Sequence, residues 1–276
     1  MAMTEFNDKV AVITGAGSGI GRALAQELAR QGCRLALSDI SQDGLAQTVD
    51  LLGLGPERLH CELLNVADRA AFKAYAATVV AHFGQVDIVI NNAGVGLMGS
   101  VSEVSDEDFD WLMGINFWGM VDGSRAFLPH LQTRPQAWLV NVSSIFGIIG
   151  VPGQAAYNAS KFGVRGFTEA LWHEYNDSNI TVCCVHPGGI KTAIARNSRA
   201  SASIEPHQHS AGAELFEQMA RTTPEQAAVV IVEGMRKHRR RILIGGDAKF
   251  MALLTRLMPD NYWRVLERFL SRKPAE

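Results

Sequence analysis

Short apolar runs alternate along the chain with longer stretches of helical periodicity. Residues 10–13, 86–90, 138–142 and 181–185 are apolar almost throughout rather than at every second position, and 34–38, 59–64 and 242–245 complete the set. A strand reads this way when helices cover both faces of a parallel sheet. Helical patterns fall between the runs, near 19–31, from about 44, over 70–83, from about 106, around 157–161 and over 223–237. Strand followed by helix, repeated without a break, predicts an α/β fold with a doubly wound parallel sheet.

The alternation continues past residue 185 with no internal repeat, so 1–276 reads as a single domain. Residues 193–222 turn small and polar and show no clear periodicity until about Glu214. A loop of that length inside a compact domain is usually functional, and its place after a strand predicts a lid over a binding cleft. Thr223-Pro-Glu-Gln226 then opens a helix, with a threonine cap, a proline in the first turn and a glutamine three residues after the cap. Residues 246–276 form an extension of two short helices, 250–258 and 262–270, separated by Pro259. Its apolar residues, Phe250, Leu254, Trp263 and Leu266 among them, exceed what a tail needs. They could cap the cleft, close a subunit interface or lie on a membrane, and the mixture of acids and bases favours the first two.

A net charge of −2 exerts no long-range pull on nucleic acid or membrane. No apolar run reaches the roughly 18 residues of a membrane-spanning helix, and the N-terminus lacks a signal-type apolar segment, so a cytoplasmic protein is expected. Cys33, Cys61, Cys183 and Cys184 read as free buried thiols, because neighbours on a strand point to opposite faces and cannot bridge. His207 and His209 have no third ligand placed near them, so no metal is expected. The basic run 236–241 reads as a solvated helix end, and His186 as a packing residue.

The chemistry lies in three places. Tyr157 and Lys161 stand at i and i+4, so on a helix an ammonium sits under a phenol and loosens its proton. Ser144 precedes the tyrosine by thirteen residues. Near the N-terminus, Gly15, Gly19 and Gly21 follow the first strand and open a helix. There the backbone can approach a pyrophosphate at the positive end of the helix dipole. Asp39 ends the second strand, where a carboxylate accepts hydrogen bonds from ribose hydroxyls and repels a 2′-phosphate. With Ile40 after it and Ser18, not a base, before Gly19, these residues predict NAD rather than NADP.

Thr14-Gly-x-x-x-Gly-Ile-Gly21, Asn91-Asn-Ala-Gly94, Asn116, Ser144, Tyr157-x-x-x-Lys161 and Pro187-Gly188 occur in this order. Over residues 8–192 the chain thereby resembles the short-chain dehydrogenase/reductase family, with its Rossmann-type sheet. The resemblance implies a nicotinamide oxidoreductase acting on an alcohol or ketone. It assigns Tyr157 as proton carrier, Ser144 as the hydroxyl holding the substrate oxygen, Lys161 as tuner of the tyrosine and ligand of the nicotinamide ribose, and Asn116 as holder of a water. It places Gly15, Ser18, Gly19, Ile20, Gly21, Asp39, Asn91, Ala93, Gly94, Pro187, Gly188, Ile190 and Thr192 on the cofactor. Asn65-Val66 stands where the family usually has Asp-Val, and asparagine can still hydrogen-bond the adenine.

Ile145, Phe146 and Val151 fall where the family meets its substrate. They are apolar, with no fixed cation among them, which favours a lipophilic secondary alcohol or ketone; completion of the core is the other reading. A homo-oligomer, dimer or tetramer, is expected. The alternative function is an NAD(H)-sensing regulatory protein on the same fold, against which the intact Ser144, Tyr157 and Lys161 speak. A sugar-nucleotide epimerase would carry a larger C-terminal domain.

Overall fold

A computed structural model describes residues 5–270. Its sheet has seven parallel strands: β1 (Val10–Thr14), β2 (Arg34–Asp39), β3 (Leu59–Leu63), β4 (Ile88–Asn91), β6 (Ala137–Val142), β7 (Ile180–Pro187) and β9 (Arg241–Ile244). The strands lie in the order β3-β2-β1-β4-β6-β7-β9. A separate two-stranded parallel pair joins β5 (Leu97–Met98) to β8 (Arg199–Ala200).

The continuous apolar runs have the expected physical origin. On β1, Ala11 and Ile13 enter one core while Val10 and Val12 enter the other, and the same alternation divides Ile88 and Ile90 from Val89 on β4. The first core is closed by α1 (Gly19–Arg30), α2 (Gln42–Leu52) and α8 (Pro224–Arg236), the second by α3 (Arg69–Phe83), α5 (Gly119–Gln132) and α6 (Ala155–Glu174). Both faces of each central strand are therefore dry, and each buried leucine or isoleucine contributes about 1.5–3 kcal/mol. Cys183 lies in the first core, while Cys184 faces Thr168 of α6, so the adjacent thiols point apart.

Helix starts follow local chemistry. Ser41, Asp68, Ser105 and Thr223 each accept a backbone N–H of the first turn of α2, α3, α4 (Asp106–Met113) and α8. Between α4 and α5 the ladder loosens into a π-helical turn, Gly114–Trp118, which buries Asn116.

Two segments differ from the sequence reading. The stretch 193–222 is not an aperiodic loop to Glu214: it contains β8 and a 14-residue helix, α7 (Pro206–Met219). Proline stands in its first turn, and Gln208 accepts from the Glu205 N–H at 3.4 Å. The helix left no apolar stripe to read because Ala213 is its one buried residue. In the extension, the first helix, α9 (Gly246–Leu257), starts at residue 246 rather than at 250, and α10 (Tyr262–Leu270) follows.

Leu139 sits fully buried at the centre of β6. Leu139→Ala should lower the unfolding free energy by about 2–5 kcal/mol, measured as a reduced denaturant midpoint with unchanged slope.

Candidate active site

The sheet reverses its order between β1 and β4, and an open α/β sheet binds its ligand in the crevice beyond the strand ends at that point. The β1–α1 loop turns there through Gly15 and Gly19, at φ +67° and +50°. A Cβ on Gly21 would collide with the Gly15 carbonyl, so only glycine lets loop and helix touch. Unlike α2, α3, α4 and α8, helix α1 has no side-chain cap, and its first turn carries no acid. Its open N–H groups and bare backbone fit the phosphates of a dinucleotide.

Asp39 lies against this loop. Its Oδ2 accepts the Gly17 N–H at 2.8 Å and its Oδ1 accepts the Ser41 N–H at 2.9 Å. Arg22, which the sequence reading missed, reaches back from α1 to the Gly17 carbonyl, and its Nε donates to Thr48 at 3.0 Å. Its position one residue past the last loop glycine was the available signal. Asn65 is exposed and turns its Oδ1 to its own Ala67 N–H at 3.1 Å, while Val66 is buried against Gly119.

After β4 the chain is pinned to the glycine loop by Asn92 and Thr14, which the sequence reading placed within its motifs without giving either a role. Asn92 donates through Nδ2 to the Thr14 carbonyl at 3.0 Å, and the Thr14 hydroxyl accepts the N–H groups of Asn92 and Ala93, both at 3.1 Å. Asn91 instead points into the sheet, donating to Asn141 at 2.8 Å. Gly94 lies where Asn116 and Lys161 converge: a Cβ there would stand 3.2 Å from Asn116 Oδ1 and 3.3 Å from Lys161 Nζ. Asn116 clasps the Val95 backbone, accepting its N–H at 2.8 Å and donating to its carbonyl at 2.9 Å.

Ser144 ends the loop after β6 and its Oγ accepts the Phe146 N–H at 3.1 Å. Tyr157 and Lys161 project from the first turns of α6, with Lys161 Nζ 5.7 Å from the phenol ring centre and donating to the Val142 carbonyl at 3.2 Å. Burial raises the Tyr157 pKa to about 12, drawn partway back by a hydrogen bond with Ser144. Burial also lowers Lys161 to about 8. The tyrosine therefore sits above its ordinary value rather than below it, because burial disfavours the phenolate more than the Ser144 bond favours it.

At the other rim, Pro187, Gly188 and Ile190 leave β7, and Thr192 crosses back so that its methyl would lie 3.1 Å from a Cβ on Gly19. Phe146 stands edge-on to Tyr157, with ring centres 6.0 Å apart. Phe146 and Val151 pack partly buried against α9 and α10, while Ile145 is fully within that cluster beside Ala248 and Leu266. Ile145 is thus buried, whereas Phe146 and Val151 are partly exposed. Trp263 and Leu266 also pack onto their own chain.

The sequence model described as "short chain dehydrogenase" matches residues 9–203. SadH of Mycobacterium tuberculosis, a provisionally named oxidoreductase, is 47% identical over 267 residues, covering 96% of each chain. Levodione reductase of Leifsonia aquatica is 34% identical over 235 residues, 82% of this chain and 87% of its own. Among solved structures, a short-chain dehydrogenase/reductase from Burkholderia phymatum in complex with NAD superposes with a TM-score of 0.82 at 31% identity, covering 99% of both chains.

Ultraviolet titration of the free protein against Tyr157→Phe should assign no phenolate to Tyr157 up to the ordinary tyrosine range of about pH 10. A phenolate signal from this residue near neutrality would show that Lys161 outweighs burial after all.

Proposed function

The chain belongs to the short-chain dehydrogenase/reductase family, and from that premise we propose that it transfers hydride between NAD(H) and a lipophilic secondary alcohol or its ketone. The observation that carries this reading is the convergence of Ser144, Tyr157 and Lys161 at the strand ends, beside the glycine loop and Gly94. When bound, the nicotinamide supplies the acceptor or donor of hydride and, in its oxidised form, a positive charge. The protein must then hold the substrate oxygen and move one proton.

Ser144 Oγ holds that oxygen and steadies the charge developing on it. Tyr157 Oη takes the hydroxyl proton in oxidation and returns it in reduction. Lys161 holds its ammonium behind the phenol and toward the ribose side of the cleft. Asn116 fixes Val95 and Gly94 against it. The glycine loop, through Gly15, Ser18, Gly19, Ile20 and Gly21, cradles the phosphates, and Pro187, Gly188, Ile190 and Thr192 bound the nicotinamide end.

Solved relatives of this fold hold NAD or NADP, so the choice of NAD rests on this chain's Asp39. Its carboxylate, aimed by Gly17 and Ser41 at the loop, suits two ribose hydroxyls and opposes a phosphate. Support for an apolar substrate comes from Phe146 and Val151 and from a relative named for reduction of levodione. Segment 193–222, tied to the body by the β5–β8 pair and by Arg199 to Asp108 at 2.8 Å, acts as the lid.

Because burial keeps the phenol protonated, the neutral protein is already in the form reduction requires, whereas oxidation needs the phenolate. Ketone reduction should therefore hold or slow as pH rises from neutral, and alcohol oxidation should accelerate. The opposite pair of slopes would exclude Tyr157 as the proton carrier. In a panel of apolar ketones with NADH, Tyr157→Phe should lose about 10²–10⁴-fold in kcat while retaining NADH affinity; turnover like the parent's would remove the mechanism. Asp39→Ala should shift preference toward NADPH, and a parent that already prefers NADPH would refute the role given to Asp39.

A further inference from the structure

Two polar side chains of the C-terminal extension reach back to the two loops that bound the site. Asp247, in the first turn of α9, accepts the Gly189 N–H on its Oδ2 at 2.6 Å. The carboxylate occupies space that a Cβ on Gly188 or on Gly245 would claim, so it is seated between two glycines. Tyr262 of α10 accepts the Gly150 N–H on its hydroxyl at 2.8 Å. Gly150 lies in the turn that joins Ser144 to α6, between Phe146 and Val151.

The packing gives these bonds leverage. The buried side of α9 and α10, through Met251, Leu254, Tyr262, Trp263 and Leu266, rests on residues 145–151 and on Leu243 of β9. On the other face of α9, Leu253 and Leu257 are exposed. The extension is therefore positioned chiefly by the wall it supports. An N–H bonded to a carboxylate is held more firmly than one bonded to a neutral oxygen, and the first turn of a helix favours the acid.

We propose that the extension is a working part of the active site, in which Asp247 and Tyr262 are positioning residues. Asp247 holds the Pro187–Thr192 segment against the nicotinamide end through Gly189, and Tyr262 holds the substrate wall through Gly150. One rigid element then sets the gap between cofactor and substrate. The identity of the two loops rests on the proposed function.

The two arms separate. Asp247→Ala should weaken NADH binding about tenfold in a fluorescence titration, and Asp247→Asn, which keeps an acceptor, should stay within about threefold of the parent. Tyr262→Phe keeps the ring's packing, and should raise KM for an apolar ketone about tenfold with kcat and NADH affinity close to the parent's. Amide exchange should quicken at residues 188–192 in the first variant and at 148–151 in the last. Should Asp247→Ala fail to fold by circular dichroism, Asp247→Ser, too short to reach Gly189, replaces it. Parent-like NADH binding in the variant lacking the acceptor, or a parent-like KM in Tyr262→Phe, overturns that arm of the brace. A parent that binds neither NADH nor NADPH overturns the proposed function instead.

Discussion

A buried ammonium is the constraint around which the rest of the site is arranged. Lys161 is 4% exposed, and a cation taken from water is costly unless polar groups replace its hydration. Here the Val142 carbonyl accepts from it, the face of Tyr157 lies near it, and the side-chain oxygen of Asn116 stands across the small gap left by Gly94. This partial replacement leaves the pKa lowered to about 8 rather than abolishing the charge. A larger residue at 94 would fill the one space between Asn116 and Lys161. The π-helical turn at Gly114–Trp118 has a corresponding purpose, since it carries Asn116 inward to the Val95 backbone.

The same logic extends beneath the site. Asn91 donates to Asn141, Asn141 donates to Thr168 at 3.1 Å, and Ser124 joins Asn91 at 3.1 Å, so a buried polar ladder links β4 and β6 to α5 and α6. Buried polar groups are tolerated where they are hydrogen-bonded, and their directionality fixes what apolar packing leaves free to slide. Because α6 carries Tyr157 and Lys161, the ladder fixes that helix against the strand leading to Ser144. The spacing of Ser144, Tyr157 and Lys161 is thus set inside the core, while the apolar cores on either side supply most of the stability.

Legibility in the sequence followed how each feature is encoded. The strands were readable because burial on both faces leaves a continuous apolar run, and α8 because Thr223, Pro224 and Gln226 form a local start signal. The glycine loop was readable because backbone geometry admits no other residue. Helix α7 was not, since it buries only Ala213 and so writes no stripe. Arg22 was passed over although its Gly17 partner is local, and the pairing of Thr14 with Asn92 and Ala93 was not readable because it joins segments 78 and 79 residues apart. Asp247 and Tyr262 were hidden for the same reason, one across 58 residues and the other across 112. The electrostatic balance also eluded sequence: i and i+4 spacing placed ammonium and phenol together, but the amount of water removed from each could be known only from the fold.

On the proposed function, that balance gives the Tyr157–Lys161 pair a direction. Desolvation moves the phenol up to about 12 and the ammonium down to about 8, away from each other. At neutral pH the first is protonated and the second still largely charged, so the resting site presents a proton to an oxygen and a cation behind it. That is the arrangement a ketone oxygen needs as it gains negative charge. The Ser144 bond draws the phenol partway back toward ionisation. A substrate oxygen accepting from both hydroxyls would compete for that bond, so in the proposed mechanism the group that positions the substrate would also adjust the acidity of the group that reacts with it. A site tuned only to bind would gain nothing from this opposition of shifts, whereas one that moves a proton depends on it.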